Sequence, residues 1–279
     1  MTVNAIPTKP LAPRQQVGVY PAPGSNNYAC RATHANPVVF LHGLGATKDE
    51  DLNVLQTHMQ QRGFCTYALT YGDYPAFPFV GGLQPIAQSS QEIAAFIRTV
   101  AQKTGAAKVD IVGHSEGAFQ ALYTAKFGGL AGLVGSVVAL APPTHGTDFG
   151  NLYDLAYVGG KLTRELVGTI LKTVGCAACD DLGPDGAAIA RLNDGTPIAQ
   201  DGVEYTIIIS TKDGLVTPYN TSRVDEPGVN NVVVQDFCPD DPVGHIGMAY
   251  DTWIWSVVIN ALEPSVPRTA CTKGMPYRR

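Results

Sequence analysis

A nine-residue segment of the 279-residue chain reads Val109-Asp110-Ile111-Val112-Gly113-His114-Ser115-Glu116-Gly117. Its first four residues are typical of a short buried strand, and the residues that follow Gly117 favour a helix. A G-x-S-x-G pentapeptide between a strand and a helix forms a tight turn that exposes the serine hydroxyl above a sheet. The segment therefore predicts an α/β sheet with Ser115 as a candidate nucleophile. A glycine-rich turn with an idle serine would have the same pattern, so the surrounding chain has to decide between the two.

On either side of this turn, strand and helix patterns alternate. We expect strands at residues 38–41, 66–70, 108–112, 136–140, 205–210 and 231–235, and helices at residues 51–62, 116–127 and 247–262. A further helix is predicted to start at the capping-box pattern Ser89-Ser90-Gln91-Glu92 and to end at Gly105. This alternation predicts a mostly parallel sheet with helices on both faces.

Two segments depart from the alternation. Residues 1–29 are rich in Pro, Ala, Asn and Gly, and we expect them to form an extended N-terminal arm with one edge strand near residues 17–20. Residues 144–203 show no obvious strand pattern, which indicates a helical insertion. We therefore expect a single domain at residues 30–279 that carries this insertion at residues 144–203.

Two candidate partners for Ser115 follow later strands. Asp213 comes directly after a predicted strand, and His245 lies between the last predicted strand and the final helix. The chain order Ser115, Asp213, His245 is the order of the catalytic triad in α/β-hydrolases. Asp240 and Asp241 are rival acids, but they are so close to His245 in sequence that we expect them to shape its loop.

A second short motif, His42-Gly43-Leu44-Gly45, follows the strand predicted at residues 38–41. Enzymes with a serine nucleophile of this kind place an oxyanion-binding amide at such a turn. We therefore expect the backbone N–H groups of Leu44 and Glu116 to form an oxyanion hole. An ordinary glycine turn would have the same four residues.

The composition argues against several classes of protein. The chain has 19 Lys and Arg against 24 Asp and Glu, a formal net charge of -5, and its basic residues are scattered. A nucleic-acid partner requires clustered basic residues, so we expect none. No apolar run is long enough for a transmembrane helix. With 45% hydrophobic residues, a chain of this length buries enough surface to be stable as a monomer without a metal ion.

The chain contains six cysteines, which are Cys30, Cys65, Cys176, Cys179, Cys238 and Cys271. The sequence does not select among the possible pairings. Their order suggests local pairs of 30 with 65, 176 with 179 and 238 with 271. An even number of cysteines in a low-charge, Gly- and Pro-rich chain favours disulfides and an oxidising compartment, whereas six buried free thiols are the alternative. Residues 1–23 lack the apolar run of a signal peptide, so we expect a secreted protein in its mature form.

The motifs together resemble those of secreted α/β-hydrolase lipases and esterases, in particular the class 2 lipases that include small Bacillus lipases and larger actinobacterial and fungal extracellular enzymes. The resemblance is carried by Val38–Gly43, by Thr104-Gly105 followed by Val109–Ser115, and by Val243–Gly247. It covers roughly residues 30–262, strongly around the motifs and weakly between them.

The resemblance implies that Ser115 is the nucleophile, His245 the base and Asp213 its partner, in the hydrolysis of carboxylic esters such as triacylglycerols without a cofactor. Short-chain carboxylesterase, polyester hydrolase and non-catalytic binding protein are the alternative functions. Larger relatives also tend to carry three disulfides. Glu116 is a departure, because relatives often have Gln or Met at this position. A carboxylate there would repel an oxyanion unless its side chain turned away.

The insertion and the loops around the motifs indicate where a hydrophobic ester would bind. Apolar residues that are candidate pocket walls are Leu44, Phe77, Phe79, Val80, Leu83, Val216 and Ile246. In the insertion, apolar residues recur at helical spacing at Leu162, Leu166, Val167, Ile170, Leu171 and Val174. A lid that opens at a lipid–water interface and a helix docked permanently on the core have the same periodicity, so the sequence leaves both open.

Overall fold

The structure is a computed structural model and describes residues 18–130, 132–148 and 175–276. Its strands are β1 (Val38–Leu41), β2 (Thr66–Ala68), β3 (Val109–His114), β4 (Val134–Leu140), β5 (Glu204–Ile209) and β6 (Val229–Val233). They form one six-stranded sheet in the order β2-β1-β3-β4-β5-β6, and every neighbouring pair is parallel. The predicted parallel sheet is confirmed.

The α-helices in the described residues are α1 (Asn53–Gln60), α2 (Ile86–Thr104), α3 (Glu116–Phe127), α4 (Ala177–Leu182), α5 (Ala187–Leu192), α6 (Val234–Phe237) and α7 (Thr252–Leu262). Successive residues of β3 pack on opposite faces of the sheet. Ile111 belongs to a buried cluster with α2 and α3, whereas Val112 belongs to one with α1 and α7. Each such buried side chain stabilises the fold by about 1.5–3 kcal/mol. Burial on both faces explains why the strand patterns are continuously apolar.

The described part of the arm, residues 18–29, covers the β2 edge of the sheet without adding a strand. The Asn26 side-chain amide donates to the Ala68 carbonyl oxygen at 2.9 Å, and its Oδ1 accepts from the Ala68 N–H, also at 2.9 Å. The side chain thus takes the place of a neighbouring backbone and protects an open strand edge. The edge strand predicted near residues 17–20 is wrong for residues 18–20, the part that the structure describes.

Helix α2 begins earlier than the capping box predicts. Its first residue is Ile86, whose backbone N–H donates to Asp181 Oδ2 at 2.9 Å. Glu92, expected to cap the start, instead lies inside the helix and accepts from the Gly72 N–H at 3.2 Å. The predicted end is confirmed, because Gly105 adopts the left-handed conformation that favours glycine, with φ +72°.

The C-terminal part differs from the prediction in two ways. Residues 247–262 do not form one helix, because Ile246–Ala249 is a short 3₁₀ helix and α7 starts anew after Asp251. The Asp251 carboxylate accepts from the Ile254 N–H at 2.9 Å and so caps α7. Strand β6 occupies Val229–Val233 rather than residues 231–235, in register with β5.

All six cysteines are paired, and the pairs are Cys30–Cys65, Cys176–Cys179 and Cys238–Cys271, as the order of the cysteines suggested. In the described part of residues 144–203, helices α4 and α5 are present and no strand is. The apolar helical pattern at residues 162–174 lies outside the described residues. Over the described ranges, no helix combines the length and apolarity needed to cross a membrane.

Candidate active site

Ser115 lies in the sharp turn between β3 and α3, with φ +57° and ψ -122°. Such a backbone conformation costs a non-glycine residue about 1–3 kcal/mol. The turn is held by the Ser115 N–H, which donates to the Leu140 carbonyl oxygen at 2.8 Å. A Cβ atom at Gly113 would overlap the Gly117 carbonyl, and one at Gly117 would overlap the Leu41 carbonyl. The two glycines of the G-x-S-x-G motif are therefore required by close backbone contacts.

Asp213 and His245 form a buried pair at the carboxyl ends of the strands. The His245 Nδ1–H donates to Asp213 Oδ2 at 2.7 Å, and the two side chains are 1% and 2% exposed. The other carboxylate oxygen of Asp213 accepts from the N–H groups of Leu215 and Val216, at 2.8 and 2.9 Å. These bonds fix the carboxylate, which in turn fixes the imidazole with Nε2 on its opposite side.

The rival acid Asp241 has a different part in the fold. Its Oδ1 accepts from the N–H groups of Val243 and Gly274, at 3.0 and 2.9 Å. Burial raises the pKa of this carboxyl group. Asp241 therefore shapes the loop that leads to His245, as expected, while Asp240 is exposed.

The turn at residues 42–45 packs directly against the serine turn. A Cβ atom at Gly43 would lie 3.2 Å from the Ser115 Cβ, so only a glycine backbone comes this close without a shift. The turn is also held by the Gly45 N–H, which donates to the Gly81 carbonyl oxygen at 3.0 Å. Among the described residues, the backbone N–H groups of Leu44 and Glu116 have no protein acceptor, so both remain free to bind a ligand oxygen.

His42 stiffens this turn as a neutral imidazole. Burial lowers the pKa of His42 to about 4. Its Nδ1–H donates to the Gly43 carbonyl oxygen at 2.8 Å, and its Nε2 accepts from the Tyr71 N–H at 3.4 Å. The Tyr71 ring stacks on the imidazole at a centroid distance of 4.3 Å, and its hydroxyl donates to the His42 carbonyl oxygen at 2.6 Å.

The Glu116 side chain is buried beside Gly82, where a Cβ atom would overlap its Oε2. In the part of the chain that the structure describes, neither of its carboxyl oxygens has a well-aligned hydrogen-bond partner. Burial raises the pKa of Glu116 well above its ordinary value. Burial therefore favours the uncharged form of the carboxyl group, which weakens the repulsion that the sequence suggested.

Ser115 and His245 line the same small cavity. Its remaining lining consists of Leu44, Glu116, Pro143, Thr147, Leu182, Leu215 and Val216. The lining is mainly apolar, which suits a hydrocarbon group next to the serine.

Of the candidate pocket walls, Leu44 and Val216 line this cavity. Val80 and Leu83 are buried in the core, and Phe79 is half exposed outside this lining. Phe77 and Ile246 pack against the core clusters.

Several lining residues were missed by the sequence analysis. Leu215 lies two residues after Asp213, so its position next to the acid was a usable signal. Leu182 belongs to α4, and its approach to Ser115 depends on how the insertion folds back, which no local pattern shows. Asp51 and His114, both buried, were also missed, although His114 directly precedes the serine.

Over the described ranges, no group of three or more His, Cys, Asp or Glu side chains is placed to hold a metal ion.

Similarity to known proteins covers most of the chain. The sequence model of the class 2 lipases matches residues 35–253. The triacylglycerol lipase of Burkholderia plantarii is 26% identical over 153 residues, which are 53% of this chain and 40% of the relative. That of Pseudarthrobacter phenanthrenivorans is 28% identical over 121 residues, 41% of this chain and 35% of the relative. The chain therefore spans less than half the length of the curated relatives it matches.

Two solved structures support the fold. The mature form of the Bacillus licheniformis lipase BlEst2 superposes with a TM-score of 0.55 and 16% identity, over 89% of this chain and 96% of that one. The Pyrococcus furiosus esterase Pf2001 superposes with a TM-score of 0.52 and 14% identity, over 84% of both chains. The parallel sheet with helices on both faces is thus an α/β-hydrolase fold. Since the family's sequence model matches well over half of its residues, the chain belongs to the class 2 lipases.

Proposed function

We propose that the protein is a serine hydrolase of hydrophobic carboxylic esters, a triacylglycerol lipase or a related esterase. The observation that carries this proposal is the buried Asp213–His245 pair, whose histidine lines one cavity together with a serine in a strained turn. The family and the triacylglycerol lipases among its relatives support the same reaction.

In this proposal Ser115 Oγ attacks the ester carbonyl while His245 Nε2 takes its proton. Asp213 keeps Nδ1 protonated and stabilises the imidazolium. His245 then returns the proton to the leaving alcohol, which departs and leaves an acyl-enzyme on Ser115. Water, deprotonated by the same imidazole, releases the acid and restores the serine.

The free N–H groups of Leu44 and Glu116 would bind the oxyanion of each tetrahedral intermediate. Loss of one such donor typically costs about 3–4 kcal/mol of transition-state stabilisation. Both donors belong to the backbone, so the Gln- or Met-to-Glu departure at position 116 leaves the hole intact. Burial raises the pKa of the Glu116 carboxyl and so disfavours a negative charge beside the hole.

The cavity lining supports an apolar ester as substrate. Its walls come from Leu44, Pro143, Leu182, Leu215 and Val216. A triacylglycerol, a short-chain ester and a polyester would each present an ester with an apolar neighbouring group to the serine. An activity series from short to long acyl chains, in solution and in emulsion, separates a lipase from a carboxylesterase, and a rate jump on emulsification would show lid behaviour.

For the chain as a whole we propose a secreted monomer. Three disulfides support an oxidising compartment. A chain of this length buries enough surface to be stable as a folded monomer. We also propose that residues 30–279 form one domain, with residues 1–29 as an arm and residues 144–203 as an insertion.

The S115A variant tests the proposed reaction. Removal of the nucleophile is expected to reduce kcat on p-nitrophenyl esters by about a millionfold, since the triad acts as a unit. The matched control is S265A, which removes a hydroxyl at an exposed position and should leave turnover unchanged. Substantial ester hydrolysis by folded S115A would contradict the assignment.

A further inference from the structure

A second His–carboxylate pair lies buried behind the proposed triad. His114 Nδ1 and Asp51 Oδ1 are 2.8 Å apart, and the two side chains are 2% and 9% exposed. The rings of His114 and His245 have a centroid distance of 4.9 Å. The proposed mechanism does not use this pair, because neither side chain lines the cavity at Ser115.

The partners of His114 determine its charge. Nδ1 faces a carboxylate oxygen, and Nε2 lies 3.0 Å from the His245 backbone carbonyl oxygen. The backbone carbonyl only accepts hydrogen bonds, so Nε2 carries a proton. While Asp51 is ionised, its carboxylate also only accepts, so Nδ1 carries a proton as well and the ring is an imidazolium. Although burial alone would lower it, the Asp51 carboxylate raises the pKa of His114. The pKa of Asp51 is lowered because His114 outweighs the opposite effect of burial.

The pair joins three loops that the proposed reaction needs. The second carboxylate oxygen of Asp51 accepts from the Gly43 N–H at 2.8 Å, which holds the turn that carries Leu44. His114 is the residue directly before Ser115. Its Nε2–H holds the backbone of His245. One buried ion pair therefore connects an oxyanion donor, the nucleophile and the base.

We propose that Asp51 and His114 are positioning residues, a charged pair that fixes the mutual placement of the oxyanion turn, the serine turn and the His245 loop. This inference rests on the proposed ester hydrolysis, because the three loops carry the groups that this reaction uses. A buried ion pair is a costly way to gain stability alone, whereas its directional hydrogen bonds fix loop positions that apolar packing would leave free. Other titratable groups that face the pair are His42, Glu50, Tyr71, Asp213, His245 and Tyr250.

The charge is tested by NMR of the full chain labelled with ¹⁵N in its histidines. We expect both ring nitrogens of His114 to be protonated at pH 7, with a slowly exchanging Nδ1 proton. The signals are assigned by replacing each of the other five histidines in turn, so the result does not depend on the folding of a His114 variant. A neutral His114 ring at pH 7 would overturn the pair as proposed.

The positioning role is tested with D51N. Asparagine keeps the size but offers one acceptor oxygen, so either the Gly43 or the His114 N–H loses its partner. We expect kcat to fall by about 10- to 100-fold with KM changed less than threefold, because the loops shift while the substrate walls remain. The matched control is D49N, two residues earlier, whose carboxylate pairs with Lys48 and should leave kcat unchanged.

Folding is checked by circular dichroism, and H114Q replaces D51N if that variant does not fold. A kcat in D51N or H114Q equal to that of D49N would overturn the positioning role while leaving the proposed function intact. A wild-type protein that hydrolyses no ester would overturn the proposed function, and the positioning role with it, whereas the NMR result on His114 is read independently of activity.

Discussion

Ser115 adopts a backbone conformation that residues other than glycine rarely occupy, and the two glycines that flank its turn are required by backbone contacts. Gly113 and Gly117 are required by carbonyl groups that leave no room for a Cβ atom. The motif was visible in the sequence because this steric demand permits only glycine. The ionic pair of Asp51 and His114 was not, since a contact across 63 positions has no local pattern.

At the residue scale, the sharpest prediction concerns Glu116. Its pKa is raised by burial, so the native state holds a proton that the unfolded chain loses near the ordinary glutamic acid pKa. The stability that this proton contributes is fully present below the ordinary pKa of the unfolded chain. It is lost as the pH rises from there toward the raised pKa of the folded protein. E116Q removes this loss. We expect the free energy of unfolding of E116Q to exceed that of the wild type. The difference should grow by up to about 1.4 kcal/mol for each pH unit above pH ~4.5.

Urea unfolding of both proteins between pH 4 and 9 measures this gain. The control is E204Q, at an exposed position of β5, which tests for general effects of removing one negative charge. We expect E116Q to retain ester hydrolysis within about threefold at pH 7, since burial favours the uncharged form of the native carboxyl and glutamine is uncharged as well. A stability difference between E116Q and wild type that is independent of pH would show that Glu116 is ionised in the folded protein.

At the element scale, the strands and the positions of most helices were predictable because burial on both faces leaves a continuous apolar pattern. The errors occur where a distant side chain decides an end. Helix α2 starts at Ile86 because Asp181, 95 residues away, accepts from its N–H. Similarly, the closing helix is interrupted because Asp251 caps a new start, although the apolar pattern continues through residues 247–262.

The Cys238–Cys271 disulfide joins the segment before the His245 loop to the C-terminal segment, and it closes a loop of 33 residues. The loop-entropy relation predicts that C238S/C271S loses about 3–4 kcal/mol of unfolding free energy. The matched control is C176S/C179S, which removes a disulfide between residues only 3 positions apart. It should lose about 1.5 kcal/mol of unfolding free energy. Guanidinium unfolding measures both. Equal losses in the two variants would contradict a loop-length origin of this stability.

At the scale of the whole molecule, the parallel sheet and its α/β-hydrolase fold were predictable from the alternation of elements and from three short motifs. The serine motif and the positions of Asp213 and His245 after later strands predicted these three candidates, because the carboxyl ends of parallel strands meet at one edge of the sheet. The cavity walls were less predictable, since Pro143, Leu182 and Leu215 reach the site through tertiary folding. The apolar helix predicted at residues 162–174 remains a prediction, as does its possible action as a lid.

The central claim is that Ser115 is a nucleophile activated by His245. Its most direct test is reaction of the native protein with a fluorophosphonate, followed by intact-mass and peptide mass spectrometry. We expect one adduct per chain, on Ser115. We expect no adduct in S115A, and none in wild-type protein that is unfolded before the reagent is added. An unlabelled Ser115, or an adduct on another residue in a protein that hydrolyses esters, would contradict the account.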